Sequence, residues 1–203
     1  MLDHILDFFS GSDFDRFSIC VGYKGNRIRE HLRNWRGPTD LIYSDIGEEA
    51  GMLPRLYALR ETGRQQFLVI YGDTFINLDT DRLLNHHAES KAAATIVTAE
   101  IRNPFGVVTT NAGSFVESFE EKPLQCHYIG CMVLEQSAFE FVTPNMLELP
   151  DGEGLVTLFD KLISERRLAS FLHKGLQISF NTESERQHAE TELGRYYTYP
   201  EQL

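Results

Sequence analysis

The 203-residue chain has no apolar run near the ~20 residues that cross a bilayer. Met1 to Phe9 is interrupted by Asp3, His4 and Asp7, unlike a secretory leader. Basic residues are scarce, 19 Lys and Arg against 30 Asp and Glu, for a formal net charge of −11. That balance argues against non-specific nucleic-acid or anionic-membrane binding, which needs a basic surface, while leaving room for a small phosphate held by one or two local cations. Cysteine is limited to Cys20, Cys126 and Cys131, an odd number that makes no disulfide framework and fits a reducing compartment. Repeats, linkers, low-complexity tracts and the patterns G-x-S-x-G, H-E-x-x-H and P-loop are all missing. A composition of 42% hydrophobic and 24% charged residues is that of a folded globular chain. A cytoplasmic protein of one domain, residues 1–203, is expected.

Leu2, Ile5, Leu6 and Phe9 fall on one helical face, broken at Gly11. A strand over 17–21, a helix carrying Ile28 to Trp35, a strand over 41–44 and a helix over 52–59 follow. Phe67 to Tyr71 is apolar without alternation, the pattern of a parallel strand buried on both faces. A helix over 81–90 and a strand over 93–99 complete an alternation that predicts an open α/β fold, Rossmann-like, with a mostly parallel sheet and helices on both faces. After Ala99 the pattern changes. A hairpin around 111–113, a strand over 128–134, a helix over 155–162, short strands flanking Lys174-Gly175 and a closing helix predict a small mixed or antiparallel C-terminal part.

In such folds ligands gather at the carboxyl ends of the parallel strands. Asp73 lies there, after Gly72, and its carboxylate suits Mg²⁺ shared with substrate phosphates. It suits equally a cap for the turn into Thr74-Phe75. Lys122, in Glu120-Glu121-Lys122-Pro123, is a point charge that can pair with a phosphate or belong to a solvated turn. The turn Gly22-Tyr23-Lys24-Gly25 permits close backbone approach but is also an ordinary strand-to-helix turn. Cys126, His127 and Cys131 lack a fourth metal ligand, so buried cysteines are expected. His86 and His87 read as a surface pair, and His173-Lys174 reaches either a phosphate or solvent.

Taken in order, several stretches resemble the nucleotidyltransferases that activate sugar 1-phosphates. They are VGYKGNRIREHL at 21–32, EEAGMLPRLYAL at 48–59, LVIYGDTF at 68–75, FGVV at 105–108, SFEEKP at 118–123, YIGCMVL at 128–134 and LASFLHKGLQISFNTESERQHAE at 168–190. The GYKG, YGD and H-x-G segments lean towards the cytidylyltransferase branch. The resemblance implies attack by a sugar-phosphate oxygen on the α-phosphorus of an NTP, giving an NDP-sugar and pyrophosphate with Mg²⁺. It implies Asp73 as first metal ligand and catalytic residue, with Lys122 as the lysine holding the sugar phosphate. It places Glu121 on the sugar, Gly106 and Gly130 where backbone meets sugar, and Gly51, with Gly72, at the nucleotide.

The resemblance begins inside the family's first helix, without the leading strand and the G-G-x-G-T-R loop that wraps the triphosphate. A homo-oligomer, or a partner chain covering the missing strand, is therefore expected. Asn181 aligns with the second metal-binding aspartate and brings no negative charge. Leu155 falls where the family has a glutamate, with Glu153 two residues away. These departures leave two readings open: an active nucleotidyltransferase, and a non-catalytic relative that binds nucleotide or sugar phosphate or serves as a partner subunit.

Overall fold

The structure is a computed structural model describing residues 1–12, 14, 16–37, 40–180 and 182–198. The first half alternates helix and strand: α1 (Leu2–Phe9), β1 (Arg16–Val21), α2 (Gly25–His31), β2 (Asp40–Asp45), α3 (Met52–Ala58), β3 (Gln66–Ile70), β4 (Thr74–Ile76), α4 (Thr80–Ser90) and β5 (Ala94–Arg102). The second half holds β6 (Val107–Thr110), β7 (Val116–Glu120), β8 (Leu124–Glu135), α5 (Pro144–Leu147), α6 (Glu153–Ser164), β9 (Leu168–His173), β10 (Gln177–Ser179) and α7 (Glu183–Thr198).

The central sheet has the order β3-β8-β5-β9. β5 and β9 are parallel, and β8 runs antiparallel to both its neighbours. β1 and β2 form a separate parallel pair, β6 and β7 a hairpin, and β10 pairs antiparallel with β4. The open α/β class is thus borne out, with a mixed sheet wherever β8 takes part. Period-two alternation along β8 sorts its side chains between two layers. Cys131 and Val133 pack with Ile5 and Phe9 of α1, Leu83 of α4 and Leu193 of α7. Met132 and Leu134 pack with Leu53 and Leu56 of α3 and Leu158 and Leu162 of α6. Helices therefore cover both faces.

Three details differ from the sequence reading. The strand that carries a continuous buried run is β8, at 129–134, rather than β3, whose residues stay half-buried or exposed. Among the described residues β3 pairs on one edge only, and its other edge opens on a cleft. The stretch after Asp73 is a strand rather than a turn, because Ile178 of β10 supplies the pairing partner of Phe75 from a hundred residues away in sequence. His87 is core rather than surface. Its ring bonds Thr95 Oγ1 at 2.7 Å and Glu135 Oε1 at 2.9 Å, so a buried polar group is fully paired. Among the described residues no helix is long and apolar enough to cross a membrane.

Candidate functional site

β1 and β3 flank a cleft of about 680 Å³, walled by α1 on one side and α3 on the other. Both strands end at the same mouth. Arg55 of α3 donates to the carbonyl of Val21, the last residue of β1. Met52, one helical turn earlier, receives the hydroxyl of Tyr71 at 2.7 Å, just past β3. Gly72 and Asp73 follow and are exposed at that mouth.

Asp73 is held by its neighbours rather than by a charged partner. Its Oδ1 accepts the hydroxyl of Thr74 at 3.1 Å, and its carbonyl accepts the Phe180 N–H at 3.4 Å. Oδ2 has no partner among the described residues, so the carboxylate presents an acceptor outward. No group of three or more His, Cys, Asp or Glu side chains assembles there or elsewhere among the described residues. A single carboxylate still fits Mg²⁺, which takes one or two from protein and completes its octahedron with water and substrate phosphates.

The four glycines singled out from the sequence have different reasons for being glycine. A Cβ on Gly72 would meet nothing within 4 Å, so this position is open towards a ligand. A Cβ on Gly130 would lie 2.9 Å from the Tyr71 ring, and its φ of +73° favours glycine. It sits where β8 bulges against β5 and its carbonyl accepts the Tyr71 N–H at 2.9 Å, which brings it beside Gly72-Asp73. Gly51 precedes α3, and a Cβ there would come within 3.1 Å of Asp151 Oδ1. Gly106 lies against Phe119 and Glu121, whose Oε2 would be 3.2 Å from an added Cβ.

Gly106, Glu121 and Lys122 therefore form a second cluster on the β6–β7 hairpin. Lys122 has a left-handed backbone, φ +46°, its carbonyl accepts from Arg102 at 3.0 Å, and its ammonium lies 3.9 Å from Glu121. No hydrogen bond or ion pair among the described residues joins it to Asp73. Gly130 lies six residues beyond the first residue of β8, about 20 Å along an extended strand. Asn181 falls outside the described residues. Leu155 is buried in the core between α3 and α6, so that position offers no acceptor.

Two residues at the mouth escaped the sequence reading. Arg55 also donates to the carbonyls of Gly47 and Glu48, at 2.9 and 3.3 Å, tying the loop after β2 to the end of β1. Asp151 accepts the Met52 N–H at 2.8 Å across 99 residues, capping α3 beside Gly51. Arg55 lies within the stretch at 48–59 but nothing local marks its role, and Asp151 belongs to no quoted stretch, because both reach the mouth through contacts distant in sequence. Of the other candidates, His173 is buried, bonds the Leu176 carbonyl at 3.1 Å and has its pKa lowered by burial, so it is a neutral core group rather than a phosphate ligand. Cys131 is buried as expected, with its thiol pushed up to about 12 by desolvation, whereas Cys126 is exposed.

The family profile "Nucleotidyl transferase" matches residues 1–175, and the chain belongs to that family. It is similar to the glucose-1-phosphate cytidylyltransferase of Salmonella typhimurium, with 25% identity over 86% of this chain and 76% of that protein. In fold it resembles a candidate glucose-1-phosphate thymidylyltransferase from Bacillus anthracis solved with a sucrose, at TM-score 0.72 and 17% identity, covering 94% of this chain and 81% of the other. HddC from Yersinia pseudotuberculosis superposes at TM-score 0.67 and 16% identity, covering 93% and 83%.

Proposed function

We propose that this chain transfers a nucleotidyl group from an NTP to a sugar 1-phosphate at the mouth beside Asp73. The observation that carries the reading is an outward-facing carboxylate after an unobstructed glycine, where two parallel strands end. A phosphate oxygen of the sugar 1-phosphate attacks the α-phosphorus, the α–β bridging bond breaks, and pyrophosphate leaves. Mg²⁺, held by Asp73 and in the weaker reading also by Asn181, would neutralise charge on the phosphates. Asp73 is oriented for that by the Thr74 hydroxyl on its other oxygen. Lys122 pairs with the sugar phosphate and Glu121 accepts sugar hydroxyls when the hairpin lies over the mouth. Gly106 and Gly130 let the backbone approach the sugar, and Gly51 and Gly72 let it approach the nucleotide. A polypeptide partner, or a second copy, covers the open cleft.

The purified chain, incubated with Mg²⁺, each NTP and a panel of sugar 1-phosphates, should release pyrophosphate. Asp73→Ala should lower that release by about 10²–10³-fold, the scale on which one transition-state contact acts. It should also abolish Mg²⁺-dependent NTP binding. Undiminished NTP binding in the variant would sink the Asp73 assignment. The buried Leu155, at the position where the resemblance implies a glutamate, favours a second reading as a binding subunit without catalysis. NTP binding without pyrophosphate release from any pair would select it.

A further inference from the structure

Arg55 of α3 lines the cleft and is half-buried, yet no carboxylate among the described residues pairs with it. A guanidinium drawn into a protein is ordinarily paired with an acid. Here its donors go to three main-chain carbonyls, those of Val21, Gly47 and Glu48. Val21 ends β1, and Gly47 and Glu48 belong to the loop 46–51 that leads from β2 to α3. β1 and β2 are parallel with Val21 in register with Asp45, so both connections leave the pair side by side. A guanidinium bridges two such chains through donors fixed in a planar fork, which the single ammonium of a lysine does not reproduce.

Both connections bury little surface of their own. Ile46, Gly47, Glu48 and Glu49 are exposed, as are Tyr23 and Lys24. Segments of that kind open at low free-energy cost unless something ties them down. The loop 46–51 begins with a local bond, Gly47 N–H to Asp45 Oδ1 at 3.2 Å. That bond first, then Arg29, and then the charge of Arg55 hold the Asp45 carboxyl below its usual range. The turn at 22–25 is closed by the Gly25 N–H on the Gly22 carbonyl at 2.8 Å. A Cβ on Gly22 would lie 2.9 Å from the Arg55 Cζ, so the guanidinium occupies the side-chain space of residue 22. The Gly22-Tyr23-Lys24-Gly25 motif therefore makes room for a side chain thirty-odd residues further along the chain.

We infer that Arg55 is a positioning residue of the mouth, clasping the turn after β1 to the loop after β2 so that the two are ordered as one unit for nucleotide binding. Gly51 and Met52 follow the clasped loop directly, and Met52 receives the Tyr71 hydroxyl beside Gly72 and Asp73. The consequence for nucleotide rests on the proposed reading of that mouth; the clasp itself does not.

Two proteases report the clasp in the full 203-residue chain without nucleotide. A glutamate-specific protease cuts the loop at Glu48 or Glu49, and trypsin cuts the turn at Lys24. In Arg55→Ala both cuts should quicken by about tenfold, the scale of a lost charge-assisted hydrogen bond. Cleavage at Glu117 and Lys91, exposed and outside both connections, should stay as in the parent. Gly22→Ala displaces the guanidinium and should act alike, and the double variant should be no looser than Arg55→Ala alone. Arg55→Lys keeps the charge but not the fork and should restore little protection. NTP affinity by calorimetry should fall in step, by about tenfold. Unchanged cleavage in both single variants, or quickening of one connection without the other, would overturn the clasp, as would equal quickening at Glu117 and Lys91. Loosened connections with intact NTP affinity would overturn the positioning role. A parent chain that binds no NTP would refute the reading of the mouth instead, and the cleavage rates would still decide the clasp.

Discussion

Replacing Gly130 by alanine tests whether the β8 bulge and the Tyr71 ring together build the Asp73 mouth. The added Cβ would sit 2.9, 3.0 and 3.2 Å from Tyr71 Cδ2, Cγ and Cβ. The last two belong to the stiff base of the side chain, so the ring cannot swing away without moving β3. Forcing a methyl into such a contact costs about 1–3 kcal/mol. The left-handed φ of +73° adds roughly 1 kcal/mol for an alanine. The sum, about 2–4 kcal/mol, is a large part of a stability of roughly 5–15 kcal/mol. At roughly 2–4 °C per kcal/mol for a chain of this size, Tm should fall by about 4–16 °C. Urea unfolding should show a midpoint lower by about 1–2 M with unchanged slope. A Tyr71→Ala background removes the ring and leaves only the Cβ contact at 3.2 Å, so there Gly130→Ala should cost clearly less than in the parent, closer to the roughly 1 kcal/mol backbone part. Gly130→Ala within about 0.5 kcal/mol of the parent, or an equal cost in both backgrounds, would refute this account of the mouth.

Three further outcomes are expected. Gly72→Ala should leave unfolding midpoints within about 0.5 kcal/mol of the parent, since its Cβ meets open space, yet weaken NTP binding measured by calorimetry. Unchanged affinity would place the nucleotide elsewhere. His173 has its pKa lowered in the fold, so below about pH 6.5 the unfolded chain binds more protons. Stability is then intact above that pH and falls as the pH drops, and His173→Gln should flatten the slope between about pH 7 and 5 in pH-dependent urea melts. Parallel slopes would refute it. Iodoacetamide at mildly alkaline pH should label exposed Cys126 in the native protein and buried Cys131 only after unfolding, as read by mass spectrometry. Equal native rates would contradict the described packing.

Local pattern made most elements legible. The face formed by Leu2, Ile5, Leu6 and Phe9 marked α1, and the run from Phe67 marked β3, because periodicity and apolar runs are properties of neighbouring residues. β4 was not legible, since Thr74 to Ile76 become a strand only by pairing with β10. His87 followed the same rule: in sequence it is one of two histidines on a polar helix, and only Thr95 and Glu135 draw it inside. The candidate site was half legible. Asp73 and Gly72 stand out at a strand end, whereas Arg55 and Asp151 reach the mouth through contacts 34 and 99 residues apart in sequence.

The sequence by itself determined the class of fold, the family resemblance and the exposed aspartate after the third strand. Those follow from short-range chemistry: hydrophobic period, turn residues and the order of motifs. Tertiary structure alone decided that β8 runs against its neighbours and that β3 is left half-covered. It alone placed Lys122 against Arg102, whose guanidinium donates to its carbonyl across the base of the β6–β7 hairpin. It also opened a cleft between two unpaired strand edges at the mouth of the site. The physical reason is that strand pairing and close packing join residues far apart in the chain, and no local window of sequence contains both partners of such a contact.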